Sequence, residues 1–515
     1  MSSATAQLFP APTHGRIFAI AWPIILANIA APLLGLVDTA VIGHLGTVSE
    51  LGAIALGSLI FSLIYWGFGF LRMGTTGFIA QAVGRRDQVE IRATLLRASL
   101  LGLALGTALV LLQTPLIHGL LAVFDASAEV EAGAAEYLAI RIWGAPAALG
   151  VFVLSGVLIG QGRSRTLMGI QLLMNSLNVV LDVWLAVGLD WGLRGIAAGT
   201  AVSGWVTLLV GGGWVVMQLQ RSRSDQGAFW AWSQLRPAAA WWPLLRANRD
   251  IMIRTLLMLA CFAWFTNAGA VFGDTVLAAN HVLLQFITFS AYFLDGFAYA
   301  AEALVGAAIG RGDRRHFDVA VRRSTHWALA TALALALVLL AAGQWLVALL
   351  TDLAAVQAVA GDYLPWAAAY VALSFAAFQL DGVFIAATAT AQMRNASLLS
   401  ASGFLVLAMT LAPVAGNLGL WMAFVAYVVL RAAALLLFFF DRPQKAMGDI
   451  PLRAGFDQCV SVALHLLQLA DASLQAQQNL PGFLADVGQL TVREKGHVSD
   501  KDLAVVLQCE KCRSG

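Results

Sequence analysis

Charge is scarce in this chain of 515 residues: Asp, Glu, Lys and Arg make up 12% of it, against 60% hydrophobic residues. So few charges cannot keep a folded surface in water, which excludes a soluble globular domain. Lysine is missing from the whole apolar region, since Lys445, Lys495, Lys501 and Lys511 all lie near the C-terminus. Four cysteines, with Cys261 inside an apolar run, supply no disulfide framework. The apolar runs hold no HExxH or GxSxG, and His281, the one histidine well within a run, lies near its end. A membrane-embedded enzyme is therefore not expected, because it would need a nucleophile with its base, or metal ligands, inside the bilayer. A net charge of +2 gives no reason to expect a nucleic-acid partner.

What is plentiful is long apolar sequence. Twelve runs, at about 16–43, 51–80, 93–118, 134–160, 166–188, 194–219, 250–272, 277–306, 324–350, 364–388, 396–414 and 418–440, are each long enough to cross the ~30 Å hydrocarbon layer as a helix. The fold class is an all-α polytopic membrane protein. The arginines set its orientation. Alternate loops carry Arg85, Arg86 and Arg92; Arg163 and Arg165; Arg221, Arg223, Arg236 and Arg246; Arg311, Arg314 and Arg315; and Arg394. The loops between them are acidic or neutral, apart from Arg141 and Arg194 near that side. Both termini are expected in the cytoplasm, with the chain integral to the bacterial inner membrane. Met1 to Thr13 lack a charged n-region and a cleavage site, so the first span is expected to stay as an anchor.

The chain also contains itself twice. Shifted by 226 positions, Leu51, Gly84-Arg85, Asp87 and Arg97 fall on Leu277, Gly310-Arg311, Asp313 and Arg323. Tyr137-Leu138, Phe152, Gly156-Val157 and Ile159 fall on Tyr363-Leu364, Phe378, Gly382-Val383 and Ile385. Six spans per repeat is an even number, so both enter the membrane in the same sense and their pseudo-twofold axis runs along the membrane normal. Such repeats are a transporter signature, because two similar bundles can rock around a shared site. The sequence divides into a six-helix lobe at 14–219, a cytoplasmic linker at 220–249, a second six-helix lobe at 250–440 and a cytoplasmic tail at 443–515. The linker's Phe229, Trp230, Trp232, Trp241 and Trp242 suit the headgroup zone. In the tail, 456–469 reads as an amphipathic helix, and Cys509-Glu510-Lys511-Cys512, even with His497, is short of the four ligands of a zinc site.

Ionisable groups at membrane depth are costly unless paired or hydrated. The spans hold Asp38, Arg72, Asp182, Asp295, Glu302, Asp381 and Arg431. Arg431, some residues from a cytoplasmic end, is read as snorkelling to the interface. At ~1.5 Å per residue, Asp38 lies roughly 8–10 Å, and Asp182 roughly 9 Å, below the outer ends of their spans, with Thr200 at about the same depth. Asn178 is one turn from Asp182 and shares its face. Two carboxylates, an amide and a hydroxyl at one level make a site for a proton or small cation. If the carboxylates are close they cannot both ionise cheaply, and one must hold a proton. In the second half, Asp295 and Glu302 share a face of one span, where they either line a substrate path or pair with Arg72 across the lobes. Asp381 stands where the first repeat has Ser155. Pro23 and Pro32 each remove a hydrogen bond from the first span and favour a bend.

These strings resemble a known family. Trp22-Pro23 through Gly35-Leu36-Val37-Asp38-Thr39-Ala40-Val41-Ile42-Gly43, and Phe70-Leu71-Arg72-Met73-Gly74-Thr75-Thr76-Gly77 ending in Gly84-Arg85-Arg86-Asp87, resemble the first two helices of the multidrug and toxic compound extrusion (MATE) family. Phe293-Leu294-Asp295-Gly296-Phe297-Ala298-Tyr299-Ala300-Ala301-Glu302 resembles its DNA-damage-inducible (DinF) branch. The resemblance covers about 14–440. It implies a V-shaped pair of six-helix lobes and a cation-coupled antiporter exporting organic, chiefly cationic, compounds. Asp38, Asn178, Asp182 and Thr200 match the family's first-lobe cation site, and Pro23 its helix-bending proline. The family's other bacterial branch holds sodium between acids on helices seven and ten. Here helix seven offers Asn267 and no mid-span acid, although Asp381 is present on helix ten, so protons are favoured over sodium. No cofactor or metal is implied; the expected partners are small organic substrates and membrane lipid, and the protein is expected to act as a monomer. The alternative is a lipid-linked saccharide flippase of a related superfamily, which needs several cationic residues in the cavity where the sequence shows mainly Arg72.

Overall fold

Why a duplicated apolar chain folds into two matching bundles is visible in its turns. The structure, a computed structural model, describes residues 12–45, 47–122, 124, 126–223, 229–230, 232, 235 and 237–440, without the side chains of 31–45, 238 and 440. They belong to one compact unit. The tail expectations, including the helix at 456–469 and the Cys509–Cys512 pair, lie outside the described residues. The helices are α1 (His14–Leu45), α2 (Val48–Gly67), α3 (Phe70–Arg85), α4 (Gln88–Leu111), α5 (Gln113–Leu121), α6 (Ala128–Arg141), α7 (Ala145–Gly160), α8 (Ser164–Asp182), α9 (Gly192–Arg221), α10 (Ala238–Ala270), α11 (Asp274–Arg311), α12 (Arg314–Leu350), α13 (Ala354–Ala386) and α14 (Thr390–Phe440). The described residues contain no strand. Bilayer hydrocarbon demands this, since helices satisfy their own backbone groups.

Ten helical stretches, from Val48–Arg85 to Thr390–Phe439, are long and apolar enough to cross a membrane. The first crossing is α1, whose His14–Ala30 part is itself apolar. Within α14, Gly416 leaves helical geometry at φ 61° and ψ −141°, so two crossings meet there. Among the described residues the total is twelve, six in each repeat. Three boundaries differ from expectation. The second span breaks at Phe68–Gly69 into α2 and α3, and the fourth is α6 and α7 joined by a 3₁₀ turn at Ile142–Gly144. The expected linker is shorter, because α10 already begins at Ala238. Helix α1 runs through Pro23 without a break.

The repeat offset governs local geometry as well as sequence. After α3, Arg86 turns left-handed (φ 59°) and Asp87 caps α4 by accepting from Glu90 N at 2.9 Å. After α11, Gly312 (φ 67°) and Asp313 do the same for α12, with His316 N at 3.0 Å. The turns after α7 and α13 match too, at Gly162 (φ 69°) and Thr388 (φ 53°). An aspartate at the N-cap satisfies an orphan N–H and favours the positive end of the helix dipole, which fixes where each helix starts.

The two repeats pack through α3 and α11, and α3 also meets α10. A Cβ on Gly84 would lie 2.2 Å from the Ala307 carbonyl oxygen, and one on Gly310 would lie 2.1 Å from that of Gln81. These contacts exchange under the repeat offset, so the pseudo-twofold axis passes between the arginine-bearing ends of α3 and α11. Inside each repeat, Gly156 and Gly382 make the equivalent approach to the carbonyls of Arg72 and Ala298, at 2.5 and 2.6 Å. Small residues are the usual route to tight helix contact in lipid, where dispersion must replace the hydrophobic drive. Away from these contacts large apolar side chains face outward, among them Leu337, Leu340, Val406 and Leu437. Such a continuous apolar exterior suits lipid rather than water.

Gly84→Val forces the lobe contact apart. Thermal unfolding of the purified protein should show a loss corresponding to about 1–3 kcal/mol, the usual cost of overpacking. Gly119→Ala, where an added Cβ meets nothing within 4 Å, should be neutral.

Candidate functional site

In the first lobe, α8 and α9 run against each other and place the expected polar group. Asn178 and Asp182 are fully buried, and Asn178 Nδ2 donates to Thr200 Oγ1 at 3.0 Å. Thr200 Oγ1 in turn donates to the Ile196 carbonyl at 3.0 Å, which leaves its lone pairs to the amide. The carboxylate of Asp182 is accommodated by Gly199: a Cβ there would lie 2.2 Å from Asp182 Oδ1. Gly195, one turn earlier, presses on the backbone of Leu185 and Ala186 in the same way. Sequence reasoning missed both glycines, although their Gly-x3-Gly spacing along an apolar helix is the available signal.

At Asp182 the α-helix widens into a π-helix, Val183–Gly188. Such segments leave the regular i→i−4 ladder and recur at functional sites. Helix α1, which carries Asp38, packs along α8 and touches the π segment and α9. The side chain of Asp38 lies outside the described residues. Three of the four expected residues are thus brought together, and the fourth is on the helix packed beside them.

The second group of charges lies between and within the lobes. Arg72 on α3 reaches Glu302 on α11 at 3.2 Å, and its guanidinium stacks 4.0 Å over the Tyr299 ring. Of the two acids expected to line a substrate path or pair with Arg72, Glu302 makes the pair. Asp295 is half-buried and makes no hydrogen bond with a described residue, and it lies within electrostatic reach of Arg72, Arg254, Arg431 and Asp381. Asp381 on α13 is held by two guanidiniums, Arg254 of α10 and Arg431 of α14.

Arg431 therefore does not snorkel. It is 6% exposed and turned inward, because a carboxylate inside the lobe stabilises its charge better than the interface would. Arg254 was not foreseen. The apolar run begins at about 250, which puts Arg254 at its edge, whereas α10 begins at Ala238 and carries it into the interior. Two methionine sulfurs, Met73 near Arg254 at 3.9 Å and Met258 near Arg431 at 3.7 Å, complete the surroundings. Asn267 of the same helix is exposed. Among the described residues, no cluster of three or more His, Cys, Asp or Glu side chains is suited to a metal ion.

A family model, MatE, matches residues 23–184 and 251–414, one segment in each repeat. The chain belongs to the MatE family. It is similar to DNA damage-inducible protein F of Escherichia coli K12, with 39% identity over 420 residues, covering 81% of this chain and 90% of that one. It is also similar to Protein DETOXIFICATION 44, chloroplastic, of Arabidopsis thaliana, at 26% identity over 82% of each chain. Among solved structures, an outward-facing multidrug resistance MATE family transporter of the MOP superfamily superposes with a TM-score of 0.76 at 20% identity, covering 85% of this chain and 97% of that one. The Vibrio cholerae MATE transporter VcmN in its bent form gives 0.73 at 22% identity, covering 84% and 97%. The two-lobe MatE fold expected from the sequence is the one observed, and the family is one of multi-pass membrane transporters.

In this MatE protein, Asp381 holds together three helices of the second lobe. Asp381→Leu leaves Arg254 and Arg431 buried face to face, and removing one member of a buried ion group costs about 3–5 kcal/mol. Thermal unfolding of the purified variant should show that loss. Adding Arg431→Met to it should restore part of the stability.

Proposed function

We propose that the protein is a secondary active antiporter that exports organic cations in exchange for protons, with Asp38, Asn178, Asp182 and Thr200 as the proton site. The observation that carries this reading is the contrast between the lobes' acids. In the first lobe, Asp182 lies fully buried beside an amide–hydroxyl pair and against Gly199. In the second lobe, Asp381 is already clamped by Arg254 and Arg431. A sodium ion would have to displace a guanidinium there, and no acid on α10 lies at that depth to help bind it. A carboxylate with exchangeable occupancy belongs instead to the first lobe.

Coupling requires the two lobe arrangements to differ in proton affinity. Relatives named as probable multidrug resistance proteins NorM, such as that of Thermotoga maritima at 26% identity over 317 residues, support small organic drugs as substrates. Asp295 supports a preference for cations, since it is half-buried beside the lobe interface and uncommitted among the described residues. The flippase alternative needs a surplus of positive charge. Arg254 and Arg431 do join Arg72, but all three are already paired with Glu302 or Asp381, which speaks against an anionic headgroup as cargo. The arginine-bearing loops support cytoplasmic termini.

Vesicles holding the purified protein test the ion. A pH gradient in sodium-free buffer should drive exchange of an organic cation, and Asp38→Asn or Asp182→Asn should abolish it while leaving insertion intact. Exchange that needs sodium and ignores the pH gradient would overturn the proton reading. The tail at 443–515 is proposed to be dispensable, since the repeat is complete before it begins. Truncation after Arg442 should leave vesicle transport at the full-length rate; an inserted but inactive protein would assign the tail a part in the cycle.

A further inference from the structure

A cavity of about 140 Å³ lies where the arginine-bearing ends of the two repeats meet. The first repeat lines it with Arg16, Val83 and Gln161, and the second with Ala307, Arg311 and His316. No aspartate or glutamate is among its lining residues. Arg16 and Arg86 both lie within electrostatic reach of Arg311. Asp313, the acid within electrostatic reach of Arg311, caps α12 and contacts His316 Nδ1 at 2.6 Å. Two guanidiniums and an imidazole thus line one cavity, with Arg86 within electrostatic reach of Arg311, and the cavity lies at the same α3–α11 contact that Gly84 and Gly310 close.

We propose that this cavity binds a phosphate group and, by touching both repeats, holds their arginine-bearing ends together. A guanidinium offers five N–H donors in a planar fork, so an existing partner on one edge leaves donors for another. The fork matches phosphate oxygens in bidentate geometry, and arginine is the residue most suited to that recognition. His316 adds an imidazole N–H donor. The volume suits a single phosphate with its first bound waters and is too small for a drug-sized molecule. On the side of the membrane to which the arginines assign this end, anionic phospholipid headgroups and free phosphate are both at hand. A ligand that contacts both lobes in one arrangement, and loses half its contacts in the other, shifts the equilibrium toward the first.

Binding is testable without transport. The full-length protein in detergent is titrated with inorganic phosphate, with chloride matched for ionic strength, and its thermal unfolding followed. The wild type should gain stability saturably. Arg16→Gln/Arg311→Gln, shown to be monodisperse, should need at least about tenfold more phosphate, as expected for losing charged hydrogen bonds. Arg16→Lys/Arg311→Lys should fall between the two. A second arm compares vesicles of phosphatidylcholine with vesicles containing phosphatidylglycerol. Slower exchange with the anionic lipid in the wild type, and not in the glutamine variant, assigns the cavity to a headgroup; a response to phosphate alone assigns it to the free anion. Equal responses of wild type and glutamine variant in both arms, or the same response to chloride as to phosphate, would overturn the proposal. Because the first arm reads binding alone, its outcome is independent of which ion drives transport.

Discussion

A charge in hydrocarbon has no water to turn to, and that constraint organises the interior of this molecule. Arg72 with Glu302, and Arg254 and Arg431 with Asp381, each join helices that are distant in sequence. Apolar side chains in lipid choose weakly among neighbours, because every alternative is equally greasy. Paired charges choose strongly, since a wrong neighbour leaves one of them buried alone. The arrangement of α10, α13 and α14 is therefore specified by three side chains and filled in by many. At the lobe interface the single Arg72–Glu302 pair has a different character. It joins α3 of one repeat to α11 of the other, rather than helices of a single lobe.

The sequence carried the outline of this because the duplication did. Gly84-Arg85 with Asp87, and Gly310-Arg311 with Asp313, mark the same turn and cap in both halves, so the local rule and the repeat agree. Asn178-x3-Asp182 was legible for a similar reason: helical spacing alone sets both groups on one face, and Thr200 then followed from depth. Depth also misled. Arg254 was passed over and Arg431 sent to the interface because an apolar run does not reveal how far its helix extends into polar sequence. The place of α10's first turn at Ala238 depends on tertiary packing rather than on hydropathy. The π segment after Asp182 had no signal in the sequence, as backbone widening of this kind arises where packing against Gly195 and Gly199 rewards it.

Duplication followed by divergence has also divided the labour between the lobes. The backbone contacts survive: Gly156 on Arg72 has its counterpart in Gly382 on Ala298. The chemistry does not, since the arginine of one helix is an alanine in the other, and Ser155 of the first repeat is Asp381 of the second. One bundle buries an acid beside an amide–hydroxyl pair, and the other holds its acid between two cations. Two copies of a scaffold can thus carry different polar groups without altering how they meet.

The left-handed turns record how this drift proceeds. Position 86 is arginine where its counterpart 312 is glycine, and position 388 is threonine where its counterpart 162 is glycine. A side chain in that conformation costs roughly 1–2 kcal/mol, more for a branched one. Each half therefore has glycine at one of the two turns and a side chain at the other. At Thr388 the loss is cushioned by Gln81 of the other repeat, whose Nε2 donates to the Ala386 carbonyl at 2.8 Å and reaches the threonine hydroxyl. A residue of one half has thus become the support of a turn in its twin. The two halves are thus no longer interchangeable at this turn, because the position equivalent to Gln81 in the second repeat is Ala307, which has no amide to give in return.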